Sequence, residues 1–265
     1  MGNRSKIAVI NQKGGVGKTT TVINLAASLS ILGQNNLIID LDPQGNATTG
    51  LGLSNVDNSS DTIYGVLNGT REINEIIKRT QFENLDIITS NVDLSGLEVE
   101  TADDSNRAFI LKAKLSAYLN NSRASYDYIL IDCPPSLSML TVNAFVAAKS
   151  VIITMQCEYF ALEGLSALLK TIRRIADTVN PTLEIEGILR TMYDPRNSLT
   201  GEVSSQLHKH FGDLVYRTVI PRNVRLAEAP SHGLPALHYD RYSSGARAYA
   251  ALAGEFVKKQ KQAEA

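Results

Sequence analysis

Apolar positions along this chain keep two rhythms, and the rhythms alternate. Apolar-rich runs at 7–10, 37–39, 85–88, 128–132, 151–155, 184–192 and 215–220 are short enough to be strands. Those without polar alternation, such as 7–10, 37–39 and 128–131, are expected where a strand is covered on both faces. Helical spacing fills the gaps. Val22, Leu25, Ala26, Leu29 and Leu32 recur on one face from about Thr21 and lead into Gly33, a C-cap residue. Leu111, Leu115 and Leu119 mark a helix over 108–119, and further helices are predicted over 138–147, 165–178, 201–211 and 246–257. The helix over 165–178 is amphipathic and turns Lys170, Arg173 and Arg174 outward. The stretch 51–100 is the least periodic: short helices at 62–67 and 73–77, then a polar connection over 91–98. Such βα alternation predicts an α/β fold, a mostly parallel twisted sheet with helices on both faces.

The first strand and the first helix are joined by Lys13-Gly14-Gly15-Val16-Gly17-Lys18-Thr19-Thr20. Strand, glycine loop and helix start in that order make a phosphate cradle. Glycines let successive backbone N–H groups face inward, and the helix N-terminus adds partial positive charge. Lys18 is placed to neutralise the outer phosphates and Thr19 to give its hydroxyl to Mg²⁺. The pattern G-x-x-x-x-G-K-[ST] is not met, because Gln12 stands at its first glycine position; a second lysine, Lys13, opens the loop instead.

Two later strands end in carboxylates. The run 37–39 passes into Asp40-Leu41-Asp42-Pro43-Gln44-Gly45-Asn46, and 128–131 ends in Asp132-Cys133-Pro134-Pro135. Ligands of open parallel sheets gather at the carboxyl ends of strands, which aims these acids at the phosphate loop. Period two along a strand puts Asp40 and Asp42 on one side. Asp132 suits a Mg²⁺ reached through water, since that ion keeps much of its hydration shell.

Length and composition narrow the rest. The chain has 265 residues, 43% of them apolar, with no internal repeat and no low-complexity linker, so a single domain over 1–265 with a flexible basic end is expected. No apolar run is long enough to span a bilayer. The start, Met-Gly-Asn-Arg-Ser-Lys, imitates a myristoylation signal but has Lys6 where Ser or Thr is wanted. A cytoplasmic protein is expected. Cys133 and Cys157 lack metal spacing and are expected as packed thiols. His208 and His210 are two apart rather than the four that a helical zinc pair needs. Net charge is −1, but 12 basic face 17 acidic residues over 1–169, against 11 and 8 over 170–250. The later part is where a polyanion would be met.

With its two lysines, three glycines and two threonines, the segment Lys13–Thr20 resembles the deviant Walker A ATPases, and more narrowly the ParA/Soj chromosome and plasmid partitioning proteins. The resemblance extends from Lys6 through Arg247. It is sharpest at 13–20, 40–46, 132–135, 156–164 and 220–230. It implies a P-loop NTPase-like fold, ATP and Mg²⁺ as cofactors, and a homodimer in which Lys13 reaches the partner's nucleotide in trans while Lys18 acts in cis. It further implies that Asp42 orients the attacking water, that Asp40 supports the Mg²⁺ and lysine network, and that Arg196 and Arg225 bind double-stranded DNA without sequence preference. The block 156–164 is assigned to packing and interface. The implied partner is a ParB-type centromere-binding protein that accelerates a slow turnover, and the implied setting is the nucleoid. About a dozen residues precede the loop, too few for a helix-turn-helix extension, so operator binding is not expected. Given a nucleotide at the strand ends, Thr191, Met192, Pro221, Arg222 and Asn223 either wall its adenine or are ordinary loop residues. Two other classes share the loop. A MinD-like membrane-cycling ATPase needs an apolar face beyond Val257, where Lys258-Lys259-Gln260-Lys261 stands instead; an iron-protein-like reductase needs paired cluster cysteines.

Overall fold

In the computed structural model, which describes residues 5–53, 58–121 and 126–264, eight strands form one sheet in the order β3-β4-β2-β5-β1-β6-β7-β8. The strands are β1 (Ser5–Ile10), β2 (Asn36–Asp40), β3 (Ile77–Arg79), β4 (Leu85–Ile88), β5 (Tyr128–Asp132), β6 (Ser150–Gln156), β7 (Glu184–Tyr193) and β8 (Val215–Pro221). All neighbouring pairs are parallel except β3 with β4. The long helices are α1 (Lys18–Ile31), α6 (Ile110–Asn121), α7 (Met139–Ala147), α8 (Ala161–Thr178), α9 (Ser198–Phe211) and α12 (Ser244–Glu264). Short ones fill the connections: α2 (Asn46–Gly50), α3 (Ile63–Leu67), α4 (Ile73–Ile76), α5 (Leu97–Glu100), α10 (Val224–Glu228) and α11 (Ala236–Tyr239). The residues 1–4, whose lipidation-like pattern was read above, lie outside the described residues.

The unbroken apolar strands divide their side chains between two cores by period two. Ala8, Ile10, Leu37, Ile39, Ile129, Ile131, Val151 and Ile153 face a layer that includes α6, α7, α8 and α9. Ile7, Val9, Ile38, Leu130 and Ile152 face the layer of α1 and α12. On α8 the buried residues are Leu165, Leu168, Leu169 and Ile172, the stripe its amphipathic spacing predicts. Gly187 on β7 is required by a close approach: a Cβ there would lie 2.4 Å from a ring carbon of the fully buried Tyr216.

The structure differs from the sequence expectations in four places. Helix α1 starts at Lys18 rather than near Thr21, because Gly17, at φ 80°, turns the chain directly into the helix. The helix expected over 73–77 ends at Ile76, and Ile77 opens the antiparallel edge strand β3. Helix α5 occupies part of the connection expected over 91–98. Helix α12, expected to end at Val257, continues to Glu264, with the Lys259 Nζ donating to the Glu186 carbonyl at 2.8 Å and Gln260 bridging Glu186 and Ser5.

Strand β1 lies between β5 and β6, with outgoing chains from β1 and β5 leaving in opposite directions toward β2 and β6. Their carboxyl ends therefore flank a topological switch point, where open α/β sheets hold ligands.

Candidate nucleotide site

The loop after β1 sits at that point and is fixed from outside. The Thr191 hydroxyl donates to the Val16 carbonyl at 2.9 Å, and Asn11, at the loop's start, donates to the Thr154 carbonyl at 2.6 Å. Gly17 is the left-handed residue before α1, and its Cα faces the Thr191 side chain. The Thr191 contact was invisible in the sequence, since nothing about a threonine at a strand end announces a partner 175 positions away.

Lys18 is 7% exposed and folds back on the loop, its Nζ 3.2 Å from the Lys13 carbonyl oxygen. Burial lowers its pKa, opposed by the negative charges of Asp132 and Asp42. Lys13, by contrast, lies at the surface. Its side chain is 59% exposed and forms an ion pair with Glu158 at 2.5 Å, outside its own loop. Glu158 belongs to the block assigned to interface, and this contact was not foreseen.

Asp40 and Asp132 are direct register partners at the ends of β2 and β5, and both are fully buried. Asp40 is tied down: its Oδ2 accepts from the Thr48 amide at 2.8 Å and the Thr48 hydroxyl at 2.7 Å, and its Oδ1 from the Asp42 amide at 3.2 Å. Burial raises its pKa to about 6, against these hydrogen bonds. Those bonds make Asp40 the anchor of the 42–46 turn. Asp42 is not on the strand, so strand alternation is not what brings it beside Asp40. β2 stops at Asp40, and Asp42 is set by a turn in which its Oδ1 accepts from the Gln44 amide at 3.0 Å. Among the described residues, neither buried carboxylate oxygen of Asp132 has a hydrogen bond of good geometry to the protein. Burial and Asp40 push its pKa well up, while Thr19 and Lys18 pull it down.

An orphaned buried carboxylate beside a threonine and a lysine is an expensive arrangement unless a cation and its waters complete it. The donor set fits Mg²⁺, which is usually held by one or two protein ligands plus phosphate oxygens and water. Among the described residues no group of three or more His, Cys, Asp or Glu forms a cage for a metal ion. Cys133 and Cys157 are buried free thiols.

Beside Gly17 and Thr20 opens a cavity of about 330 Å³ that contains Thr191, Met192, Pro221, Arg222 and Asn223 in its wall, together with the unforeseen Ile220, Leu226 and Tyr249. The strand-end rule brought the first five to one place. Met192 holds φ 48°, an unusual backbone state for a residue with a side chain. Tyr249 arrives from α12 and bonds the Thr21 hydroxyl at 3.0 Å. Arg196 and Arg225 lie on the surface beyond this cavity, just after β7 and in α10, outside the phosphate cradle. Among the described residues no helix is long and apolar enough to cross a membrane.

Comparison with known proteins agrees with this geometry. A family model described as an AAA domain matches residues 4–185. The chromosome partitioning protein ParA of Caulobacter vibrioides is 48% identical over 259 residues, covering 98% of this chain and 96% of that protein. The sporulation initiation inhibitor protein Soj of Bacillus subtilis is 51% identical over 249 residues, covering 94% and 96%. Among solved structures, cobyrinic acid a,c-diamide synthase from Mycobacterium smegmatis with bound ATP analog and magnesium is similar with TM-score 0.82 and 34% identity, covering 97% of this chain and 96% of that one. Two-lysine phosphate loop, strand-end carboxylates, parallel sheet and end-to-end sequence identity agree: the chain belongs to the ParA/Soj family of chromosome-partitioning ATPases.

Proposed function

We propose that this protein is an ATP-driven switch for chromosome or plasmid segregation, working as a nucleotide-bridged homodimer on DNA. One observation carries the reading: of the two loop lysines, Lys18 is buried in its own cradle, while Lys13 points out of it to Glu158. A cation held outside its own phosphate loop is available to a second copy's triphosphate.

Bound Mg²⁺ neutralises charge on the terminal phosphates, and Thr19 and, through water, Asp132 are the residues to hold it. The amides of Gly14, Gly15, Val16 and Gly17 cradle the phosphates, Thr20 with Lys18 closes the helix end over them, and the cavity at Met192, Pro221, Arg222 and Asn223 takes the adenine. Asp42 orients the attacking water, and Asp40 keeps the 42–46 turn in register. Once the terminal anion is lost, Lys13 has no charge to clasp in the partner and the dimer separates. Arg196 and Arg225 bind DNA phosphates, doubled in the dimer, so DNA affinity follows the nucleotide state. A ParB-type protein stimulates hydrolysis and resets the cycle, which places the active form in the cytoplasm on the nucleoid.

The test is Lys13→Ala in sedimentation velocity with Mg²⁺ and a non-hydrolysable ATP analogue. Expected is a monomer that still binds a fluorescent ATP analogue. A dimer as stable as the unsubstituted protein's would refute the trans role.

A further inference from the structure

The arginines that carry the proposed DNA contact are already engaged. Arg196 forms a two-pronged ion pair with Asp194, Nε to Oδ1 at 2.9 Å and Nη2 to Oδ2 at 2.7 Å, and its backbone amide donates to the same Oδ1 at 3.0 Å. Arg225 donates from Nη1 to Glu228 Oε2 at 2.8 Å, while its Nε lies 3.4 Å from Asp240 Oδ2. The Tyr239 hydroxyl also bonds Glu228, at 3.3 Å.

These segments form one continuous surface. The Arg222 amide donates to the Tyr193 carbonyl at 3.3 Å, and the Asn223 side chain bonds Ser244 at 2.7 Å. Exposed Arg222, Arg241 and Arg247 stand in the same segments, so the acids sit inside a field of arginine. A guanidinium fork closed on a carboxylate matches the geometry it would otherwise offer a phosphate, and the pair presents no net charge. The Arg225 pairs are single-pronged and exposed, a kind that contributes little to folding, so stability alone does not account for acids at both arginines.

We infer that Asp194 and Glu228, with Asp240 behind the latter, are built-in counter-ions that compete with DNA phosphates for Arg196 and Arg225 and hold the affinity of a single copy down. The inference rests on the DNA reading above and deepens it: weak attachment per copy makes retention on DNA depend on two copies together. Asp194 stays ionised across the physiological range, because the hydrogen bond from Arg196 holds its carboxyl at about 2. At Asp194 the competition is therefore not a pH switch.

The salt dependence of phosphate binding gives a scale. Each phosphate neutralised contributes about 0.9 to the slope of log affinity against log salt, so unmasking one arginine is worth about eightfold at roughly 0.1 M salt, relative to 1 M. The experiment is fluorescence anisotropy of a random-sequence DNA duplex with the full chain, Mg²⁺ and a non-hydrolysable ATP analogue, at several salt concentrations. Asp194→Asn and Glu228→Gln keep side-chain shape and remove charge. Glu83→Gln removes the same charge just before β4, toward the opposite edge of the sheet, and controls for net charge. Expected are a several-fold affinity gain and a steeper slope for each of the first two, and neither for Glu83→Gln. If both behave like Glu83→Gln while Arg196→Ala and Arg225→Ala weaken binding, the DNA reading stands and the counter-ion inference is overturned. If the arginine variants bind like the unsubstituted protein, the DNA reading falls and the inference falls with it.

Discussion

Removing one hydroxyl at Thr48 tests whether the 42–46 turn hangs from Asp40. Thr48 is 2% exposed, and its Oγ1 does two things: it donates to Asp40 Oδ2 at 2.7 Å and accepts from the Ser90 amide at 3.0 Å. Thr48→Val keeps the shape and deletes both bonds. A hydrogen bond to a charged acceptor is worth about 1.5–3 kcal/mol, and an unpaired buried amide costs about 1–3 kcal/mol, so the loss at pH 8 is roughly 3–5 kcal/mol. The sign with pH follows from Asp40. Its native pKa is about 6 against an ordinary 3.8, so the folded protein holds this proton more tightly than the unfolded chain. That contribution favours folding fully below the ordinary value and is lost as pH rises through 6. The deleted hydroxyl is the largest influence lowering that pKa, and Thr48→Val therefore raises it further. The variant's deficit is thus greatest at pH 8 and shrinks by about 1 kcal/mol at pH 5, where Asp40 is protonated and the lost bond is a neutral one. Urea unfolding of the nucleotide-free protein at the two pH values measures both quantities. A loss below about 1 kcal/mol at pH 8, or the same loss at both pH values, would refute the reasoning.

Two further outcomes follow from the same geometry. Asp42→Ala removes the carboxylate proposed above to orient the attacking water but leaves Lys13, Lys18 and Asp132 in place; on that proposal the expected result is a nucleotide-bound dimer retained on DNA with phosphate release lost, and release from DNA at the unsubstituted rate on adding the ParB-type partner contradicts this. Gly187→Ala would drive a methyl to 2.4 Å from the Tyr216 ring and is expected to cost about 1–3 kcal/mol by overpacking, read as a lower thermal midpoint; an unchanged midpoint means that β7 and Tyr216 shift freely.

Much of the site was legible because its parts are local in sequence. Lys13 through Thr20 form one continuous loop, and Asp40 and Asp132 each end a strand whose apolar character is obvious. The wall of the cavity beside Gly17 was legible more faintly. Thr191, Met192 and Pro221 to Asn223 were reached only by the rule about strand ends, and Ile220, Leu226 and Tyr249 were missed because apolar side chains at helical or strand spacing look alike whether they line a core or a cavity. Asp42 shows right placement for the wrong reason: a turn, not strand alternation, brings it beside Asp40.

What the sequence by itself determined is what neighbouring residues can encode: the strand and helix rhythm, the glycine loop with its two lysines, and a carboxylate at the end of each of two strands. Only the tertiary structure decided which of those groups have partners. Asp40 is bound by Thr48 while its register partner Asp132 lacks a well-formed protein hydrogen bond among the described residues, Lys13 pairs with Glu158 while Lys18 is buried, and Arg196 and Arg225 are closed on acids. Burial and pairing are set by contacts between residues tens to hundreds of positions apart or across a turn, and no local pattern specifies which donor will reach which acceptor.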